Sequence, residues 1–143
     1  MSITSALQIG VSGLQANSSR VQNISSNIAN ARTTKTADGG SYTRKLPVFR
    51  SSPVSTDPFG SMLDKKLQAP KVVDVIADQR PPEQMYDPGH PDADPETGLV
   101  TMPNVNMVEE MVDMVSASRA YESNVTAISA TKNMALKALE IGR

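Results

Sequence analysis

Asn104 to Arg143, NVNMVEEMVDMVSASRAYESNVTAISATKNMALKALEIGR, is the stretch that decides the fold. It holds no proline, and its single glycine, Gly142, stands next to its end. Counting alternately four and three residues gives Met107, Met111, Met114, Ser118, Tyr121, Val125, Ile128, Lys132, Ala135 and Leu139, a seam that is apolar at most steps. That is coiled-coil spacing rather than a broad amphipathic stripe. At roughly 1.5 Å per residue, a helix from Met107 to Ile141 spans about 50 Å, too long for a core of this size to cover. It therefore requires a partner. Asn106 followed by Glu109 is a capping-box variant. Glu109, Glu110 and Asp113 suit the positive end of the helix dipole, and Lys137 and Gly142 suit the other end.

The same count applied near Met1 gives Ile3, Leu7, Gly10, Leu14, Asn17, Val21, Ile24, Ile28 and Ala31, a second heptad-patterned helix. Ser2 is its expected cap, and Gly10 and Gly13 leave room for a close neighbour. The expected intramolecular seam sets Leu7, Leu14, Val21 and Ile28 against Met111, Met114, Tyr121, Val125, Ile128 and Leu139, antiparallel because one chain must return on itself. Arg20 is the only charged residue between Met1 and Ala31. Ser, Asn and Gly each cost roughly 0.5 to 1 kcal/mol relative to Ala in a helix, so such a helix does not hold up alone. A frayed terminus is the bland reading. The sharper one is that the small polar face, with Ser18, Ser19, Asn23, Ser26 and Asn27, meets other subunits. Val108, Val112 and Val115 form a second apolar edge on the last helix, also assigned to a neighbouring subunit.

Between the helices the texture changes, because all 10 prolines fall between Pro47 and Pro103. Asp38-Gly39-Gly40 signals a turn, and short strands are expected at Tyr42 to Phe49, Val72 to Ala77 and Leu99 to Met102, with a loop between Phe49 and Lys71. Arg32, Lys35, Arg44, Lys45, Arg50, Lys65, Lys66 and Lys71 make the first part of this insert basic, whereas acids dominate from Val72 to Asp113. The two blocks either neutralise each other as solvated loops or meet head to tail between copies. The fold class is thus mainly α: long N- and C-terminal helices paired as an antiparallel coiled coil, with a small irregular β-containing insert. Residues 1–31 are the N-terminal coiled-coil helix, 32–103 the insert and 104–143 the C-terminal coiled-coil helix, the two helices forming one domain.

Composition narrows the function. With no Trp, 2 Phe and 3 Tyr, the chain lacks the side chains of a thick core, while 8 Met suit thin contacts. A net charge of -1 does not favour nucleic acid, and the basic block offers only Tyr42 and Phe49 for stacking. The absence of Cys excludes disulfides and thiolate metal sites. No run is long enough to span a membrane, and no cleaved signal peptide is recognisable. The only histidine, His90, lies among Asp87, Asp92, Asp94 and Glu96, but the spacing is not that of a calcium loop and the donor set is poor for zinc. Three prolines there point to a rigid turn. No nucleophile elbow, phosphate-binding loop or catalytic relay is present. The chain is therefore expected to have no catalytic residues, metal or cofactor. The catalytic rival is a metal-dependent hydrolase using Asp87, His90, Asp92 and Asp94. The structural rival is a secreted coiled-coil adaptor or chaperone with one helical partner.

Val11-Ser12-Gly13-Leu14-Gln15-Ala16, followed by Ser26-Asn27-Ile28-Ala29-Asn30-Ala31-Arg32-Thr33, resembles the N-terminal signature of bacterial flagellar rod, hook and hook-associated proteins. Tyr86 to Asp94, Met102-Pro103-Asn104-Val105-Asn106, Val108 to Met114 and Ser118 to Asn124 resemble, more narrowly, the proximal-rod members of the flagellar basal-body rod family. The likeness is weakest between Arg50 and Pro82. It implies a structural subunit of the basal-body rod that assembles into a helical tube across the periplasm, transmits motor torque to the hook and is needed for flagellum-dependent motility. It further implies export unfolded through the flagellar type III apparatus. The implied partners are other copies of the chain, the rod proteins FlgB, FlgF and FlgG, and the adaptor FliE.

Overall fold

The structure is a computed structural model that describes residues 3–37, 39–54 and 67–141. Ser2, Asp38, Gly142 and the greater part of the expected loop between Phe49 and Lys71 lie outside the described residues. The chain runs as α1 (Ile3–Ala29), β1 (Lys45–Pro53), β2 (Gln68–Ala77), β3 (Glu83–Tyr86), β4 (Leu99–Met102) and α2 (Met107–Ile141). It is mainly α with a β-containing insert.

Asn106 starts α2 as its pattern predicts. Its Oδ1 accepts the backbone N–H groups of Val108 at 3.0 Å and Glu109 at 3.3 Å, two of the donors that a helix N-terminus leaves unpaired. Within α1 and at the residue just past it, asparagines that would otherwise compete with the helix return their amide N–H to the carbonyl four residues back: Asn17 to Gly13, Asn23 to Ser19 and Asn30 to Ser26. These bonds keep polar side chains on a helix with almost no charge.

The insert is two separate antiparallel hairpins. β1 pairs with β2 from Lys45 opposite Ala77 to Pro53 opposite Gln68, with an irregularity between Val48 and Phe49. β3 pairs with β4 from Glu83 opposite Met102 to Tyr86 opposite Leu99. Two expectations are corrected here. The first strand starts at Lys45 rather than Tyr42 and continues to Pro53, and the second begins at Gln68, so both ends of the expected loop are paired strand. In a two-stranded sheet each strand has an open edge, where the missing N–H of Pro47, Pro53 or Pro70 need not cost a ladder bond. β3 was not expected, because Glu83 to Tyr86 sits between a proline pair and a turn. Its hairpin closes at Gly98, whose φ of 67° is left-handed and whose Cβ, if present, would lie 2.9 Å from the Tyr86 ring.

The core is thin. Among the described residues the buried apolar side chains are Ala16, Ile24, Tyr42, Val100, Pro103 and Ala117, and beside them Ser5, Asn27, Arg44 and Glu110 are also buried. The accessible surface of 9944 Å² for 15.3 kDa exceeds the roughly 7,100 Å² of a compact monomer by about 2,800 Å². That difference is larger than the roughly 800 Å² that one partner contributes to an ordinary protein interface.

Candidate assembly interface

The two helices pass each other in opposite directions: Gly10 lies against Ile128, Gly13 against Asn124, Arg20 against Asp113 and Asn27 against Glu110. The face that α2 turns to α1 is made by Glu110, Asp113, Met114, Ala117, Ala120, Asn124, Ile128, Thr131 and Ala135, all buried or half-buried. α1 answers with Ser5, Gly13, Ala16, Ile24 and Asn27, its buried residues. Most of these side chains are small or polar. The helices come close enough that a Cβ on Gly10 would sit 2.7 Å from Ile128 Cγ1, and one on Gly13 would sit 2.9 Å from Asn124 Nδ2.

This geometry corrects the expected seam. Met111, Tyr121, Val125 and Leu139 are exposed, and only Met114 and Ile128 of the α2 set are half-buried. On α1, Leu7, Leu14, Val21 and Ile28 are half-buried flanking residues rather than the centre of the contact. The reason is steric: close approach needs glycine and alanine at the line of contact, so larger apolar residues are rotated about one position to its side. Asn27 is corrected as well. Far from lying on an outer face, it is 1% exposed and bonded within the chain.

The outward side of α2 is where the large apolar residues gather. Val108 and Val112 are each 66% exposed, Met111 50% and Val115 52%, and these four line one shallow groove with Ser116 and Arg119. A second groove brings Leu14, Ser18 and Ser19 of α1 beside Tyr121 of α2. Asn23 and Ser26 are half-buried; Asn23 bonds its own helix and Ser26 lies 3.4 Å from the Tyr42 hydroxyl. Farther along α2, Met134, Leu136 and Leu139 are also open.

At the other end of the helix pair, the roots of the insert meet the helices in a polar joint. Arg44 places Nε 2.5 Å from Glu110 Oε1, Nη1 3.5 Å from Asp78, and Nη2 3.4 Å from Glu109 and 3.5 Å from Asp113. Glu110, fully buried, turns its other oxygen to Asn27 Nδ2 at 3.0 Å. Asn27 in turn accepts from the Tyr42 hydroxyl and the Lys45 N–H, and donates to the Lys45 carbonyl. It pairs with the Lys45 backbone as a neighbouring strand would. Asn104 ties the residue before β1 to the chain just after β2, accepting from Arg44 N–H at 2.8 Å and donating to the carbonyls of Asp78 and Arg80. The backbone N–H and guanidinium of Arg80 hold the Asp78 carboxyl below its ordinary value of 3.8, and Asp78 and Glu109 together raise Arg80. The acids Asp78, Glu109, Glu110 and Asp113 are thus paired within the chain, with Arg44 from the basic block and with Arg20 and Arg80 from outside it.

Sequence reasoning passed over this joint. Its trace was Glu110, which stands seven residues before Ala117 and fourteen before Asn124, on the line that faces α1.

The loop of Asp87, His90, Asp92 and Asp94 is folded on itself. Asp87 accepts the Gly89 N–H and Asp92 accepts the Thr34 hydroxyl. Asp94 accepts the Glu96 N–H, which lowers its pKa, together with the Thr97 hydroxyl, while His90 Nδ1 accepts the Asp92 N–H. Among the described residues no three His, Cys, Asp or Glu side chains are placed to hold a metal ion together, and no helix is long and apolar enough to cross a membrane.

Known proteins resemble this chain over nearly its whole length. A family profile described as "Flagella basal body rod protein" matches residues 7–35, and one described as "Flagellar basal body rod FlgEFG protein C-terminal" matches residues 96–141. The chain is 42% identical over 149 residues to the flagellar basal-body rod protein FlgC of Borreliella burgdorferi, covering 99% of this chain and 98% of that one. It is 39% identical over 149 residues to FlgC of Bacillus subtilis, covering 96% and 97%, and 38% identical over 143 residues to FlgC of Escherichia coli O6:H1, covering 100% of both. On these full-length likenesses, the chain belongs to the FlgC family of flagellar basal-body rod proteins.

Proposed function

We propose that the chain builds the rod by leaving its largest apolar side chains outside its own helix pair, so that other subunits complete its core. As a member of its family it is a structural subunit of the flagellar basal-body rod, serving motility, and not an enzyme. The observation that carries the proposal is the exposure of Val108, Met111, Val112 and Val115 along one side of α2, while small and polar residues face α1. Fully burying such a side chain contributes about 1.5 to 3 kcal/mol before entropy is subtracted, and these residues have that gain still to make.

In this reading residues 1–31 and 104–143 act as one helical domain, an antiparallel coiled coil, and residues 32–103 ride on it as the insert. The subunit interface comprises Val108, Val112 and Val115, with Ser18, Ser19, Asn23 and Ser26 on α1. The seam residues that are open in the single chain, Met111, Tyr121, Val125 and Leu139, join that interface, while Leu7, Leu14, Val21, Ile28, Met114 and Ile128 flank the line of contact. Neighbouring helices then form a tube across the periplasm, and torque passes through many side-by-side contacts. Its neighbours are further copies, the rod proteins FlgB, FlgF and FlgG and the adaptor FliE, and the chain reaches them unfolded through the flagellar type III apparatus.

The test is Leu14→Asp and Val112→Glu in the native gene, with motility and isolated basal bodies as readouts. Both exchanges are expected to abolish rod assembly. Val112→Glu should leave the dilute subunit's own fold within about 0.5 kcal/mol of the parent, as befits a surface exchange. Normal swimming in the Val112→Glu strain would remove the α2 groove from the assembly.

A further inference from the structure

We infer that the buried Arg44–Glu110–Asn27 cluster sets the angle at which the insert is carried on the helix pair, and thereby the one subunit shape that the rod lattice accepts. The second half of this inference rests on the rod reading above. The first half stands on the single chain.

The insert's other hold on the helices is less buried. No described residue of β1 or β2 is buried, although both strands lie against α1, where Ser12, Gln15, Ala16 and Ser19 share a cleft with Pro70, Lys71 and Val72. A hydrogen bond joins the Ser12 hydroxyl to the Pro70 carbonyl. The insert is deeply held at its root, where Tyr42, Arg44, Val100 and Pro103 are buried. Shallow polar contacts tolerate sliding, whereas a guanidinium locked to a buried carboxylate and an amide saturated on both edges accept one orientation.

The charges of the cluster are unequally shared. Asp78 and Glu109 each have Arg80 as a second partner, and Asp113 has Arg20. Among the described residues Glu110 has no cation other than Arg44. Removing Arg44 alone therefore strands a buried carboxylate, whereas removing both leaves every remaining acid with an arginine. A buried ion pair replaced on both sides by apolar groups of similar size is commonly neutral or stabilising, which allows orientation to be separated from stability.

The experiment uses the full chain. With no native cysteine, Ser51→Cys on β1 and Ser129→Cys on α2 take spin labels selectively, and both positions are exposed. Ser51 stands about 20 Å along β1 from Lys45, so a 20° turn of the hairpin about the joint displaces its label by roughly 7 Å. The parent should give one narrow distance distribution. Arg44→Met with Glu110→Leu, which strands no charge but leaves one Asn27 N–H without its acceptor, should lower the urea midpoint less than Arg44→Met alone, yet give a distribution that is broadened or shifted by several ångströms. The same double exchange in the cell should abolish motility. Arg44→Met alone should lower the midpoint sharply.

A double variant with the parent's distance distribution would overturn the orienting role. A double variant with an altered distribution and normal motility would overturn the lattice requirement. If deletion of the whole gene left motility intact, the rod reading would fall while the distance result stood.

Discussion

Asn27→Asp is the sharpest perturbation that the joint allows, because it keeps the shape of the side chain and changes only its donor edge. Asn27 Nδ2 donates to the Lys45 carbonyl at 3.0 Å and to Glu110 Oε2 at 3.0 Å, while Oδ1 accepts from the Tyr42 hydroxyl at 3.0 Å and Lys45 N–H at 2.9 Å. The exchange turns the donor edge into an oxygen facing two acceptors. One lost bond is neutral and worth about 1 kcal/mol, and the other is charge-assisted and worth about 1.5 to 3. Two carboxylates about 3 Å apart repel by roughly 5 kcal/mol at an effective dielectric constant near 20, partly offset by Arg44. Together these put the loss at about 4 to 6 kcal/mol at pH 7. Asn27→Ala leaves the same partners unmatched without adding a charge, and should lose about 2 to 4 kcal/mol. Urea unfolding of the full chain, followed by helical circular dichroism, reads both losses. The introduced carboxyl is held neutral more easily in the folded joint than in the unfolded chain. Its extra cost is therefore present at neutral pH and shrinks in acid, where protonation of the introduced carboxyl restores a donor. The gap between the two variants should narrow from pH 7 to pH 4. If Asn27→Asp proves no more costly than Asn27→Ala at pH 7, or if the gap widens in acid, the assigned bonding of the amide is wrong.

Further predictions concern the helix contact, the acid limit and the order of the free subunit. Gly10→Leu should destabilise the helix pair by about 2 kcal/mol, since its Cβ starts 2.7 Å from Ile128 Cγ1, and Ile128→Ala in the same chain should recover part of that loss in a double-mutant cycle. Asp78 has a lowered pKa in the fold, so its contribution is fully present above about pH 4 and disappears as pH falls through the lower folded value. Melting curves between pH 5 and pH 2 should show that acid limb, and Asp78→Asn should flatten it. Hydrogen exchange in dilute subunit should be slowest around Ile24 to Asn27 and Glu110 to Ala117, beside the joint, and fastest in α2 beyond Ile128. Uniformly full protection of both helices would refute the view that assembly completes them.

The helices were legible because their signals are local. Heptad spacing placed α2 at Met107 to Ile141, and the Asn106 cap followed from side-chain chemistry three residues in reach. The rotation of the helix pair was not legible, for a physical reason. Both flanks of α2 carry apolar residues, and a four-three count rewards the larger ones, whereas close approach at Gly10 and Gly13 selects the smaller ones between them. Asn27 read as an outer residue because nothing in α1 announces partners 83 positions away in Glu110 or 18 away in Lys45. Arg44 was likewise read by its charge, as one member of a basic block, and its pairing with acids of the opposite block depends on how the hairpin root is folded. The metal-like loop shows the converse. Its carboxylates looked like a ligand set along the chain, but several of them accept hydrogen bonds from turn backbone and nearby hydroxyls.

The surplus of exposed area has a consequence for what stability means in this molecule. In the assembly proposed above, other subunits complete the core by mass action, so the free energy of folding shifts by about 1.4 kcal/mol for each tenfold change in free subunit concentration. The growing end of the rod then behaves like a crystal face with a solubility limit. Below that limit the last turns of α2 melt back into solution, and above it they freeze onto the end.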